Sequence, residues 1–167
     1  MKQQIIVSGI GGQGVLFLTR VIAQVAVNRG LAVLTSETHG MAQRGGTVLS
    51  TIKVGSFAGP LIRTAQGDVG FFLWEANLPV HRGLLKPEGR LLISSDQAGE
   101  GARINATAMA RALGNPVLAN LVLLGFAVKQ GALFCRAREC EAAIRQLAPE
   151  RFVVQNLQAF EQGMAET

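Results

Sequence analysis

Apolar residues recur along this chain in two rhythms, and the rhythms divide it into strands and helices. Short unbroken runs at 5–7, 31–34, 71–73 and 91–93 read as strands covered on both faces. Between the first two runs, Val15, Leu18, Ile22, Val25 and Ala26 step by threes and fours, while Arg20, Gln24 and Asn28 fall on another side. That spacing predicts an amphipathic helix lying on a sheet, and Gly30 closes it. Strand 5–8, helix and strand 31–36 together have the length of a βαβ unit with a right-handed crossover, which makes the two strands parallel neighbours. Residues 47–54 instead alternate β-branched or apolar positions with polar ones, a half-exposed strand. Only the loop 37–46 precedes it, too short for a crossover helix, so it is expected to run antiparallel and to make the sheet mixed.

Downstream, 55–59 reads as a turn, 60–62 as a brief edge segment, and 68–73 as a buried strand ending in Trp74-Glu75. A helical stretch at 76–85, a turn at 86–89, a strand at 90–95 and a surface loop at 97–103 follow. Asn105 is placed to cap a helix through Leu113; further helices are expected at 117–130, with Asn120 inside and Gly131 at the end, and at 136–147, before Pro149. Val153, Leu157, Phe160 and Met164 form the stripe of a last amphipathic helix. With no repeat, linker or low-complexity segment, residues 1–167 read as one α/β domain. The class expected is a three-layer α/β/α sandwich with a mixed, mainly parallel sheet and a Rossmann-like N-terminal βαβ.

Composition changes this picture in one respect. Hydrophobic residues make up 49% of the chain and charged ones 16%, more apolar surface than one core needs, so part of it is expected to meet a partner subunit. The apolar region 116–128 is interrupted by Asn120 and falls short of the ~18–20 residues that span a bilayer, so no membrane span is expected. The N-terminus turns strand-like at once without a signal-peptide pattern, and the expected location is the cytoplasm. The net charge of +5 is scattered rather than striped, so nucleic acid is not an expected partner. Two cysteines, Cys135 and Cys140, are too few to hold a zinc ribbon or an iron–sulfur cluster and read as helix-face residues.

The candidate chemistry lies where the first strand ends. Gly9, Gly11 and Gly14 stand at G-x-G-x-x-G spacing, with Gly12 and Gln13 between. Such a loop lets backbone approach a ligand and aims helix N–H groups at an anion. The same glycines also serve a plain strand-to-helix turn. A nicotinamide dinucleotide would need an acid about 20 residues on, a place Glu37 could fill; Gln13 is an unusual insertion for that loop. The lysine of a nucleotide-hydrolysing loop is missing. In the loop 37–46, at the carboxyl edge of the sheet, His39 can carry a proton and Arg44 can clamp a carboxylate or phosphate; either could equally hold the loop through backbone carbonyls. Glu75 lies at the same edge. His81 reads as a solvated helix residue, Ser94-Ser95-Asp96 as a cap or turn, and Asn120 as an amide needing a partner, most often a backbone carbonyl.

Two motifs in order, Gly9-Ile10-Gly11-Gly12-Gln13-Gly14-Val15 and then Ser36-Glu37-Thr38-His39-Gly40-Met41-Ala42-Gln43-Arg44-Gly45-Gly46-Thr47, resemble the gamma-type component of 2-oxoacid:ferredoxin oxidoreductases, the pyruvate/ketoisovalerate oxidoreductase catalytic domain. The H-G-M-x-Q-R-G-G loop is most similar to the indolepyruvate branch, and the resemblance runs over nearly the whole chain, through Asn120 to Gly125. It implies a subunit of an enzyme that oxidatively decarboxylates a 2-oxoacid, captures the acyl group on coenzyme A and passes electrons to ferredoxin. Thiamine diphosphate and iron–sulfur clusters would sit on partner subunits, and this chain alone would carry no cofactor and be inactive. Gly9, Gly11, Gly12, Gln13, Gly14, Glu37, His39, Gln43, Arg44, Gly45 and Gly46 would then form one half of a composite site, with Arg44 as anion contact and Gln13 as hydrogen-bonding contact for coenzyme A phosphates or substrate. A stand-alone nicotinamide-binding domain is the alternative.

Overall fold

In the computed structural model, which describes residues 1–39 and 46–166 (for His39, the backbone only), Ile5, Ile6 and Val7 are fully buried and their strand is central. This strand, β1 (Gln3–Ile10), pairs antiparallel with β3 (Thr47–Val54) on one side and parallel with β4 (Gly67–Phe72) on the other. Beyond β3 lies β2 (Val33–His39), antiparallel to it; beyond β4 lie β5 (Leu85–Ser94) and β6 (Ala102–Ile104), both parallel. The order is β2-β3-β1-β4-β5-β6, a mixed sheet in which β3 alone runs against the rest.

The expected reversal at 47–54 is present, but β1 and β2 are not neighbours. The helix between them, α1 (Val15–Asn28), carries the chain across a vacant strand position that β3 then fills. A return strand entering between the two can bond on both edges, satisfying backbone groups that an edge position would leave open. Pairing with β3 also extends β2 through Glu37, Thr38 and His39, which pattern alone assigned to the loop.

Period-two alternation splits the sheet's apolar residues between two cores. Ile5, Val7, Val69, Phe71 and Leu92 meet α1 and the helices α3 (Ala106–Ala112), α4 (Ala119–Lys129), α5 (Ala137–Leu147) and α6 (Val153–Ala165). Ile6, Phe72, Leu91 and Ile93 face the other way, onto Ile62, Leu78, Leu84 and Leu85. The third layer is therefore thin: a 3₁₀ turn Glu75–Asn77, the single helical turn α2 (Leu78–His81) and a 3₁₀ turn Arg82–Leu84, where the sequence suggested one continuous helix. Pro79 supplies no backbone N–H and so removes one helical hydrogen bond here. Helix α4 is buried along nearly its whole length, as its all-round apolar sequence requires. It presses α6 so closely that a Cβ on Gly125 would overlap the Phe160 carbonyl, and one on Gly163 the Val122 carbonyl. Two further expectations shift: 86–89 belongs to the start of β5 rather than to a separate turn, and the loop 97–103 runs into the edge strand β6. No helix among the described residues is long and apolar enough to cross a membrane.

Candidate composite site at the carboxyl edge

Chain direction opens a crevice between the ends of β1 and β4. After β1 the chain leaves through α1 on the thick face toward β2; after β4 it leaves through 75–84 on the thin face toward β5. Ligands of open α/β sheets collect where connections diverge in this way.

The glycine loop sits on that crevice, and its glycines do different jobs. Gly14 takes φ +73° to cap α1, and a Cβ there would overlap the Asn120 amide. That amide donates to Gly14 O at 3.1 Å, the backbone-carbonyl partner the sequence reading sought for Asn120. Gly12, at φ +90°, has nothing within 4 Å of where a Cβ would stand, so its backbone lies open to a ligand. Gly9 leaves room for Gln13, whose Oε1 would be 2.8 Å from an added Cβ. Gln13 itself is engaged inside the chain: Oε1 accepts from Ile10 N at 2.9 Å and Nε2 donates to Leu73 O at 3.1 Å. It therefore bridges β1 to β4 across the crevice, which accounts for an amide in this loop. Gly11 N donates to Gly46 O at 3.0 Å, so the glycine loop is joined to the end of the 37–46 loop. A cavity of about 290 Å³, lined by Ile10, Gly11, Gly12, Gly14, Val15, Leu16 and Val48, opens beside this junction.

Gln43, Arg44 and Gly45 lie outside the described residues. Glu37 is exposed on β2, and the backbone of His39 pairs with Val48. Because β3 stands between β2 and β1, Glu37 is two strand spacings, roughly 10 Å, from the glycine loop's own strand. The neighbouring-strand acid of a nicotinamide site is thus displaced by one strand.

Beneath the loop is a buried polar cluster. Ser8, fully buried, lies 2.7 Å from His81 Nδ1 through its Oγ, and the Asn77 amide donates to Ser8 Oγ at 3.0 Å and to Gly9 O at 2.9 Å. Since Asn77 supplies a proton to Ser8 Oγ, the hydroxyl is free to donate to a neutral imidazole; burial lowers the His81 pKa and favours that form. His81 is therefore a buried clamp and not the solvated residue the helix pattern implied. Its only signal in sequence was a serine ending an apolar strand.

On the other side of the crevice, a cavity of about 370 Å³ is lined by Trp74, Glu75, Ser94, Ser95, Asn105, Thr107 and Arg111, among others. Its Glu75 carboxylate is matched within the chain. Ser95 donates to Glu75 Oε1 at 2.7 Å and the Arg103 guanidinium pairs with the other oxygen. The Ser95 hydroxyl and then Arg103 hold the Glu75 carboxyl below its ordinary pKa. Asn105 caps α3 by accepting from Ala108 N, as its position predicted.

Two large apolar side chains stand exposed at the glycine loop: Leu16, at 36%, lines the cavity beside it, and Val117, at 43%, adjoins Gly14. Val117 and Phe152 also line a recess of about 240 Å³ with Phe17 and Asn120. Among the described residues no group of three or more His, Cys, Asp or Glu is placed to hold a metal.

The comparisons agree with this fold. Residues 4–166 match the family model described as pyruvate ferredoxin/flavodoxin oxidoreductase. The indolepyruvate oxidoreductase subunit IorB of Archaeoglobus fulgidus is 29% identical, over 98% of this chain and 94% of that one. The gamma subunit of keto/oxoacid ferredoxin oxidoreductase from Geobacter sulfurreducens has a similar structure, with a TM-score of 0.80 at 27% identity over 96% of this chain and 95% of that one. The fold also matches part of the 2-oxoglutarate:ferredoxin oxidoreductase of Magnetococcus marinus, solved with 2-oxoglutarate, coenzyme A and succinyl-CoA bound: TM-score 0.78, 22% identity, 98% of this chain and 30% of that longer one. From its first strand to its last helix, this chain belongs to the pyruvate ferredoxin/flavodoxin oxidoreductase family.

Proposed function

We propose that the chain is a non-autonomous subunit of a thiamine-diphosphate-dependent 2-oxoacid:ferredoxin oxidoreductase, with the indolepyruvate type favoured by the 39–46 loop sequence. Thiamine diphosphate would stabilise the carbanion left by decarboxylation, and this chemistry belongs to partner subunits, as do the iron–sulfur clusters that pass electrons to ferredoxin. The chain's own part is one wall of a composite site. The observation that carries the reading is the junction of the two loops at the carboxyl edge, Gly11 N to Gly46 O, with exposed Leu16 lining the cavity beside it and exposed Val117 next to Gly14. Apolar side chains at this exposure, next to an open glycine backbone, suit a surface that a partner covers.

Coenzyme A is the ligand that the wall best fits. Gly12 leaves its backbone open to a ligand, α1 presents its N-terminus, and Arg44, outside the described residues, has the guanidinium that a bidentate anion contact needs. In the assembled complex, Arg44→Ala is expected to raise the KM for coenzyme A or the oxoacid by about tenfold or more, the worth of one charge-assisted hydrogen bond, with assembly intact. An unchanged KM overturns the binding role. Loss of assembly would assign the loop to docking instead.

A further inference from the structure

We propose that Cys135 and Cys140 are an oxidation-responsive dithiol that closes to an intrachain disulfide when a hydroperoxide reaches Cys135. The two are the chain's only cysteines, and their sulfurs stand in contact at 3.6 Å. They lie near the amino edge of the sheet, away from the composite site, and nothing in the proposed chemistry uses them.

The backbone on both sides of the pair is held. Before Cys135, Gln3 Nε2 donates to Ala132 O at 3.0 Å, Phe134 N donates to Gln3 Oε1 at 3.0 Å and Arg29 Nη1 donates to Phe134 O at 2.7 Å. On the Cys140 side, Arg136 N donates to Glu139 Oε2 at 3.0 Å at the start of α5, and Glu139 N and Cys140 N donate to Arg136 O at 3.1 and 3.2 Å. Each sulfur is thus presented to the other by a pinned segment. A thiol pair serving only to fill a core has no need of such alignment.

The two thiols differ in access. Cys135 is 7% exposed and Cys140 is fully buried. Contact with the Cys135 sulfur and then burial push the Cys140 thiol well up, so Cys140 does not begin the reaction. In the first step the Cys135 sulfur attacks the hydroperoxide, giving a sulfenic acid and releasing the alcohol, or water when the oxidant is hydrogen peroxide. In the second, Cys140 Sγ displaces the sulfenic hydroxyl, which leaves as water with the Cys140 proton. Two electrons pass from the dithiol to the peroxide bond, and a dithiol reductant reverses the change. The sulfurs must close from 3.6 Å to the ~2.05 Å of a disulfide.

The test treats the full reduced chain with hydrogen peroxide and reads its intact mass, free thiols and migration without reductant. Expected is a monomer lighter by two hydrogens with both thiols lost, and a tryptic digest in which peptide 130–136 is joined to peptide 139–145 until reduced. Oxygen addition at Cys135 with Cys140 still free, a disulfide-linked dimer, or thiols untouched by peroxide that oxidises free cysteine would each overturn the proposal. In Cys140→Ser the reaction should stop at a Cys135 sulfenic acid trapped by dimedone. The wild-type digest decides the matter even where that variant folds poorly.

Discussion

The carboxyl edge of the sheet has two halves built in opposite ways. Around Glu75 the groups are matched within the chain: a carboxylate, one serine and an arginine satisfy one another at the wall of a polar cavity. Around the glycine loop the backbone is open at Gly12 and the side chains nearby are apolar and exposed. A satisfied polar group gains little from a partner, whereas exposed apolar area gains by leaving water. On the proposed function, the glycine half is the face that a partner would cover.

The sharpest way to break this contrast is to charge the apolar half. Leu16→Asp with Val117→Asp is expected to weaken co-purification with the other subunits of the proposed complex by about thirtyfold or more, the scale of interface hot spots. The isolated chain should keep its Tm, since both side chains are already exposed. Loss of assembly from Glu75→Gln instead would reverse the assignment of the halves.

Within the glycine half, Gly14 and Gly12 separate folding from function. Gly14→Ala forces a Cβ into a left-handed position and displaces the Asn120 amide, so denaturant unfolding should show a loss of about 2–3 kcal/mol. Gly12→Ala meets open space and should cost about 1–2 kcal/mol from its positive φ alone, while raising the KM for coenzyme A in the complex. Equal destabilisation would show that Asn120 yields freely.

The smallest effects are expected in the pH dependence. His81 has a pKa lowered by burial, so its stabilising contribution is present above the ordinary value of 6.5 and is lost as pH falls from there through the lowered native value. Glu75 is also lowered, by Ser95 and Arg103, and its contribution persists until pH drops below 4.5. Tm should therefore begin to fall below pH 6.5 and fall further below pH 4.5, with His81→Gln removing the first loss and Glu75→Gln the second. A single acid step below 4.5 would mean that the His81 clamp contributes nothing.

Most elements were legible because their apolar periods are unambiguous: α1, α5, α6 and the reversal at β3 follow directly from spacing and loop length, and α4 from the length of its all-round apolar run. The neighbour relation of β1 and β2 was not legible, because a βαβ segment has the same sequence whether its strands touch or leave a gap for a third. The polar cluster of Ser8, Asn77 and His81 escaped notice for a related reason. These residues are far apart in the chain, and a histidine in a short broken helix looks solvated until the sheet is placed beneath it.

The sequence by itself determined the family, through two motifs in order, and the local chemistry of each turn, since glycine at a positive φ and asparagine at a cap are properties of single residues. Only the tertiary structure decided what Gln13 does. Its amide could face a ligand or its own chain, and the position of β4, with Leu73 O 3.1 Å away, turned it inward to tie the two central strands together.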